Sequence, residues 1–223
     1  MGMDTQQMRQ TRIMLTALGK TQMSPKLLSI LGIGVGVVCF WLATMLHSGG
    51  YDLNRDYLST LLRDPAIPAR IPAIAGMLFL CVSIALVFER LAHAVEFSKN
   101  SKVIRIAGIG SMVYASLTFT FMHDLLVTIS LIFFLIAVCA LIQALYVSRE
   151  IGFFIAGGLC FVVLVASATI YYTGYYVSVL PWAQRATFVL FAIWLVSLDW
   201  GFPRNHLRES EMAVGTMVSR KGV

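Results

Sequence analysis

The chain is patterned in long apolar blocks separated by short polar ones, a much coarser rhythm than the alternation of a half-buried strand. The stretch from Ile106 to Ser148 carries no charged residue except at His123-Asp124. A helix crosses a bilayer with roughly 20 predominantly apolar residues, so this stretch predicts two spans joined by a tight turn at that dipeptide. The same pattern predicts four more. Span one covers about Leu27 to His47 and opens at Ser24-Pro25; span two covers about Ile71 to Phe88, with Pro72 in its first turn and Glu89-Arg90 at its end. Spans three and four cover about Val103 to Met122 and Leu125 to Val147, and Arg149-Glu150 with Gly152 form the next turn. Span five covers about Phe153 to Tyr172. Span six covers about Trp182 to Leu198, opened by Pro181 and closed by Gly201 and Pro203. Backbone groups in lipid must be satisfied within their own segment, so all six are expected to be helices. The predicted fold is all-α: a polytopic six-helix transmembrane bundle over 27–203, between tails at 1–26 and 204–223.

Small residues spaced four apart let helices approach closely. Gly32, Gly34 and Gly36 therefore mark a face of span one packed on protein. The hydroxyls Ser111, Ser116, Thr118 and Thr120 on span three, and Ser167 and Thr169 on span five, are expected to bond between helices. The patch Met14-Leu15-Thr16-Ala17-Leu18 has the makings of a short helix lying on the membrane, or of a disordered tail. No cleavable signal peptide is expected, and the first span reads as its own signal anchor.

Composition removes the soluble alternatives. Hydrophobic residues make up 58% of the 223 and charged residues 13%, with a mean hydropathy of +0.80, far from a soluble domain. The net charge of +6 does not point to nucleic acid, because the basic residues flank the spans, where they set orientation and meet anionic headgroups. Of the 17 Lys and Arg, 13 fall in the two tails and the second and fourth loops; the other four are Arg55, Arg63, Arg70 and Arg185. Basic residues accumulate on the cytoplasmic side, so both termini are expected there, in the cell membrane, or in the inner membrane of a bacterium. Cys39, Cys81, Cys139 and Cys160 each fall within a span, without ligand spacing, and read as packing residues.

No ionisable residue falls near the middle of a span, which argues against proton-coupled pumping. Polar residues gather instead at the expected outer boundary: His47, Asp52, Asp56, Ser59, Arg63, Asp64, His123, Asp124, Gln184 and Arg185. Their structural reading is modest. Asp124 suits an N-cap of span four, His123 the end of span three, and the first loop an amphipathic helix with Leu58, Leu61 and Leu62 in the interface. On the chemical reading, His123, His47, Asp52 and Asp56 are the catalytic candidates, in a metal-activated hydrolase, a haem site between His47 and His123, or a nucleophilic Ser59. No ligand or nucleophile motif accompanies them, and no metal or cofactor is expected. Asp124, Ser59, Arg63, Gln184 and Arg185 form the candidate binding cluster. At the opposite boundary Glu89, Arg90, His93, Arg149, Glu150, Asp199 near Arg204, and His206 read as anchoring charges.

The motifs Tyr57-Leu58-Ser59-Thr60-Leu61-Leu62, Ala73-Ile74-Ala75-Gly76 and Ala107-Gly108-Ile109-Gly110, with His123 at the third turn and Gln184-Arg185 opening the last span, resemble a bacterial integral-membrane family, domain of unknown function nine-nine-eight. That family is similar in layout to the DRAM, Frag and Sfk-like six-helix proteins, some of them linked to lipid handling. The resemblance implies a six-helix bundle with cytoplasmic ends and supplies no reaction. The leading expectation is a non-enzymatic multi-pass protein that binds membrane lipids, a membrane-protein partner or a second copy of itself through its outer polar cluster. A lipid-modifying or metal-dependent hydrolase is the alternative, and a small-molecule transporter the third reading.

Overall fold

The computed structural model describes residues 24–95 and 100–201. The expectations for the patch at Met14–Leu18, for Arg204 and His206, and for nearly all of both tails lie outside the described residues. Within them the chain is helical, without strands: α1 (Pro25–Met45), the short α2 (Leu58–Leu62), α3 (Ile67–Ala94), α4 (Ser101–Ser116), α5 (His123–Val147), α6 (Ile151–Thr173) and, after a 3₁₀ turn, α7 (Leu180–Gly201). Five of these, α1, α3, α5, α6 and α7, are long and apolar enough to cross a membrane. These are the helices of a multi-pass membrane protein.

The third predicted span differs. Its helix α4 has 16 residues, about 24 Å at 1.5 Å per residue, and residues 117–122 continue as turns. The hydroxyls of Ser116 and Thr118 fold back onto the carbonyls of Val113 and Ala115, at 2.7 Å each, while the amides of Leu117, Thr118 and Thr120 bond three residues back. Such local bonds compete with the helical ladder. The expectation of interhelical hydroxyl bonds is corrected by the same contacts: Ser111 and Thr169 also bond within their own helices. Ser167 is the exception, meeting Thr187 of α7 at 2.9 Å.

Ser24 caps α1, accepting from the amide of Leu27 at 3.2 Å, with Pro25 following as expected. α3 starts a turn earlier than its apolar run, with Pro68 in the first turn and Pro72 inside the helix. It also runs past Glu89-Arg90 to Ala94, because both charges find partners. Arg90 crosses to Asp199 of α7, with Nη2 at 2.9 Å, and donates to the Ser29 hydroxyl at 2.8 Å and the Pro25 carbonyl at 3.1 Å. This ion pair, with side chains 13% and 4% exposed, ties α1, α3 and α7 together. Glu89 meets His93 at 3.0 Å and Arg105 of α4 at 3.2 Å.

α1 packs closely on α3. A Cβ on Gly36 would lie 3.0 Å from the carbonyl of Gly76, and one on Gly76 would lie 2.9 Å from that of Gly36, while Gly32 faces Ser83. Gly34 faces open space, so Gly32 and Gly36, four apart, form the contact face. The main core lies between α3, α4, α5, α6 and α7 around Phe88, Ile104, Leu141, Leu145, Trp194 and Leu195. A smaller core beside the first loop holds Phe40, Ala43, Ala73, Leu61 and Leu62. Leu61 and Leu62 are fully buried, so α2 plugs the end of the bundle and does not float in the membrane interface. Cys81 and Cys160 are buried packing residues; Cys139 is exposed.

Candidate functional site at the first-loop end

Asparagine and aspartate shape the first loop locally. Asp52 accepts from the amide of Asn54 and Asp56 from that of Asp52, both at 2.8 Å, closing a compact turn. Arg185, in the first turns of α7, reaches into this turn. It donates to the carbonyls of Leu53 and Asp56, the latter at 2.7 Å, and to the Tyr51 hydroxyl at 2.9 Å. Its guanidinium carbon lies 5.6 Å from the ring centres of both Tyr51 and Trp182, within cation–π range. Gln184 accepts from the amide of Leu58 at 3.2 Å, and the Trp182 indole donates to Asn54 at 3.3 Å. Three side chains within one turn of α7, Trp182, Gln184 and Arg185, far from the loop in the chain, thus latch it to the helix. Burial raises the Tyr51 phenol above its ordinary value despite Arg185, so it stays protonated and donates to the Asp56 carbonyl at 3.2 Å.

A second group centres on Asp64, whose side chain is buried. It accepts from the amide of Ala66 at 2.7 Å and from Nδ1 of His47, just past the end of α1. The carboxyl is held below its usual range, first by the Ala66 amide and then by His47, against the opposing effect of desolvation. A depressed folded-state value stabilises the fold fully above the unfolded value of about 3.9 and loses that stabilisation as pH falls through the folded value. Asp64→Asn is therefore expected to cost about 1–3 kcal/mol at neutral pH. Thermal unfolding of the two proteins should differ from pH 8 down to about 4 and converge only in stronger acid. A difference that persists undiminished well below pH 4, with no convergence in acid, would show that the charge is immaterial.

A third group is open. Arg63 Nη2 lies 3.7 Å from Asp124, with side chains 50% and 78% exposed, and the Tyr171 hydroxyl donates to the same Asp124 oxygen at 3.2 Å. Tyr172 meets Thr128 at 2.8 Å. Asp124 is not the N-cap of its helix: α5 begins at His123, after Met122, which makes no side-chain cap. The carboxylate sits in the first turn, where the helix dipole still favours it, and turns sideways to α6. His123 is buried and closes the 118–122 turn through Nδ1 on the Thr118 carbonyl at 2.6 Å. Ser59 is half-buried on α2 and joins none of these contacts.

The candidate residues thus divide into separate groups. His47 pairs with Asp64 and His123 with its own turn, while Asp52 and Asp56 are bound into the loop. Among the described residues no three His, Cys, Asp or Glu side chains gather in a way that could hold a metal ion. The partnership of Asp64 with His47 was not legible in sequence, since 17 residues and the α2 plug separate them. Comparison with protein-family models, with curated proteins and with solved structures gave no match.

Proposed function

We propose that this chain is a six-helix multi-pass membrane protein, with cytoplasmic termini, that binds lipid headgroups or a membrane partner on its outer surface and has no reaction of its own. The observation that carries this reading is the division of labour in the polar cluster. The outer histidines and the first-loop aspartates, the groups able to act as acid or base, are engaged in holding the loop and the turns, while Arg63 and Asp124 stand exposed on the platform they build. A cation and an anion side by side suit a zwitterionic headgroup or a charged patch on a partner. Phe121 at 96% exposure, and Tyr175 and Tyr176, are exposed aromatics close in sequence to Asp124 and Tyr171, as in an interfacial belt. In this reading α4 with its 117–122 turns makes the sixth crossing, the bilayer thinning locally around a short span. The resemblance to the six-helix family agrees with it.

The test is native mass spectrometry of the detergent-purified protein beside Arg63→Ala/Asp124→Ala. A lipid or protein that stays with the parent and leaves the double variant supports the proposal. Identical spectra, or a hydrolytic activity abolished by His123→Ala in a normally folded protein, would replace it.

A further inference from the structure

At the opposite end from the first loop, α6 and α7 part to leave a groove of about 530 Å³, within the size range of small-ligand sites. Its floor is low because α6 contributes Gly152, Ala156 and Cys160 at four-residue spacing. A Cβ on Gly152 would meet nothing within 4 Å. The α7 wall is Ile193, Trp194 and Ser197, with Trp194 fixed by its indole donating to the Phe153 carbonyl at 3.0 Å. The groove is apolar except at one end, where Glu150 contributes a carboxylate. Among the described residues Glu150 has no ion-pair partner. One turn beyond Ser197 stands Trp200, with the Lys26 ammonium 5.7 Å from its ring centre. The end of α7 lies against the start of α6, since a Cβ on Gly201 would lie 2.8 Å from the Phe153 ring. The groove therefore runs from an apolar channel to a mouth where Glu150 is the one charged lining residue; Arg149, next to it in the chain, is exposed and does not line the groove, and Lys26 lies on Trp200 beyond the lining.

We propose that this groove holds one phospholipid with an ammonium headgroup, such as phosphatidylethanolamine: an acyl chain along α6 and α7, the ammonium on Glu150, and Lys26 on the phosphate side. Charge selects this occupant. An anionic lipid would bring like charge to Glu150, and a second copy of this chain packed about a twofold axis would bring a second Glu150 to the first. This site is independent of the outer surface proposed above.

The experiment uses the full chain, delipidated in detergent and given equal amounts of phosphatidylethanolamine and phosphatidylglycerol with the same acyl chains, read by native mass spectrometry. The parent should retain one phosphatidylethanolamine about fivefold over phosphatidylglycerol, the ratio an exposed charge pair of about 1 kcal/mol yields. Glu150→Gln should bring the ratio to about one while a lipid is still held. Its readout is a ratio among bound species, so it holds whatever the change in stability. Ala156→Leu should remove both lipids, whereas Gly158→Leu, whose Cβ also meets nothing within 4 Å but which lies off the groove, should retain them. The comparison is repeated in the Arg63→Ala/Asp124→Ala background, which removes any lipid held at the outer surface; the lipid that remains should still favour phosphatidylethanolamine about fivefold and lose that preference on Glu150→Gln. Equal retention of the two lipids by the parent, undiminished retention by Ala156→Leu, or a dimer mass that Ala156→Leu abolishes would each overturn the proposal.

Discussion

Asp199→Ala is expected to destabilise the protein by about 3–5 kcal/mol, the cost of leaving a buried partner charge alone. Arg90 is held by four acceptors on two other helices and has little access to solvent. Removing the carboxylate strands a guanidinium among α1, α3 and α7, where only the Ser29 hydroxyl and the Pro25 carbonyl remain. Arg90→Ala is likewise expected to destabilise, since it leaves the buried Asp199 carboxylate without its partner. Replacing both, as Arg90→Met/Asp199→Leu, is expected to recover most of the loss, since a packed apolar pair often equals a buried ion pair in stability. Thermal unfolding of the four proteins in one detergent gives the comparison. If Asp199→Ala and the double variant unfold together, the loss does not come from a stranded guanidinium.

Arg185→Ala should free the first loop while leaving the helices in place. The side chain makes three hydrogen bonds and two aromatic contacts with the loop and its neighbours, and charged hydrogen bonds contribute about 1.5–3 kcal/mol each without adding fully. A loss of about 2–4 kcal/mol in loop docking follows. Arg185→Lys should recover less than half of it, because a lysine cannot present the planar fork that reaches Leu53, Asp56 and Tyr51 at once. Tryptic cleavage at Arg55 and Arg63 and amide exchange over 51–63 report loop docking directly. Exchange in α3 and α5 should stay as in the parent. An unchanged cleavage rate in Arg185→Ala would mean that Gln184 and the α2 plug alone fix the loop.

The two ends of the molecule show how far residue chemistry can be read without coordinates. Gln184, Arg185, Asp52 and Asp56 stood out as a polar group in an apolar chain, and they do meet. How they meet was not legible, because the loop contacts are largely to backbone carbonyls and amides, which have no signature in sequence. Asp124 looked like a cap because a short acid before an apolar run usually is one. The helix begins one residue earlier, and Tyr171 and Arg63 offer the carboxylate better partners than its own amides. Arg90 and Asp199, 109 residues apart, each looked like a boundary charge near a helix end. That they are one buried pair depends on α3 continuing for another turn.

Hydrophobic block length determined that this chain is helical and built for a membrane, because the cost of an unsatisfied backbone in lipid leaves few alternatives over such runs. It also placed α1, α5, α6 and α7 to within a few residues, and the four-residue glycine spacing on α1 marked the face that meets α3. Local hydroxyl-to-carbonyl bonds ended α4, whereas the tertiary structure alone decided which charges are shared between helices and that α2 is a plug. Those outcomes depend on competition between partners distant in the chain, and hydropathy along a single segment does not encode it.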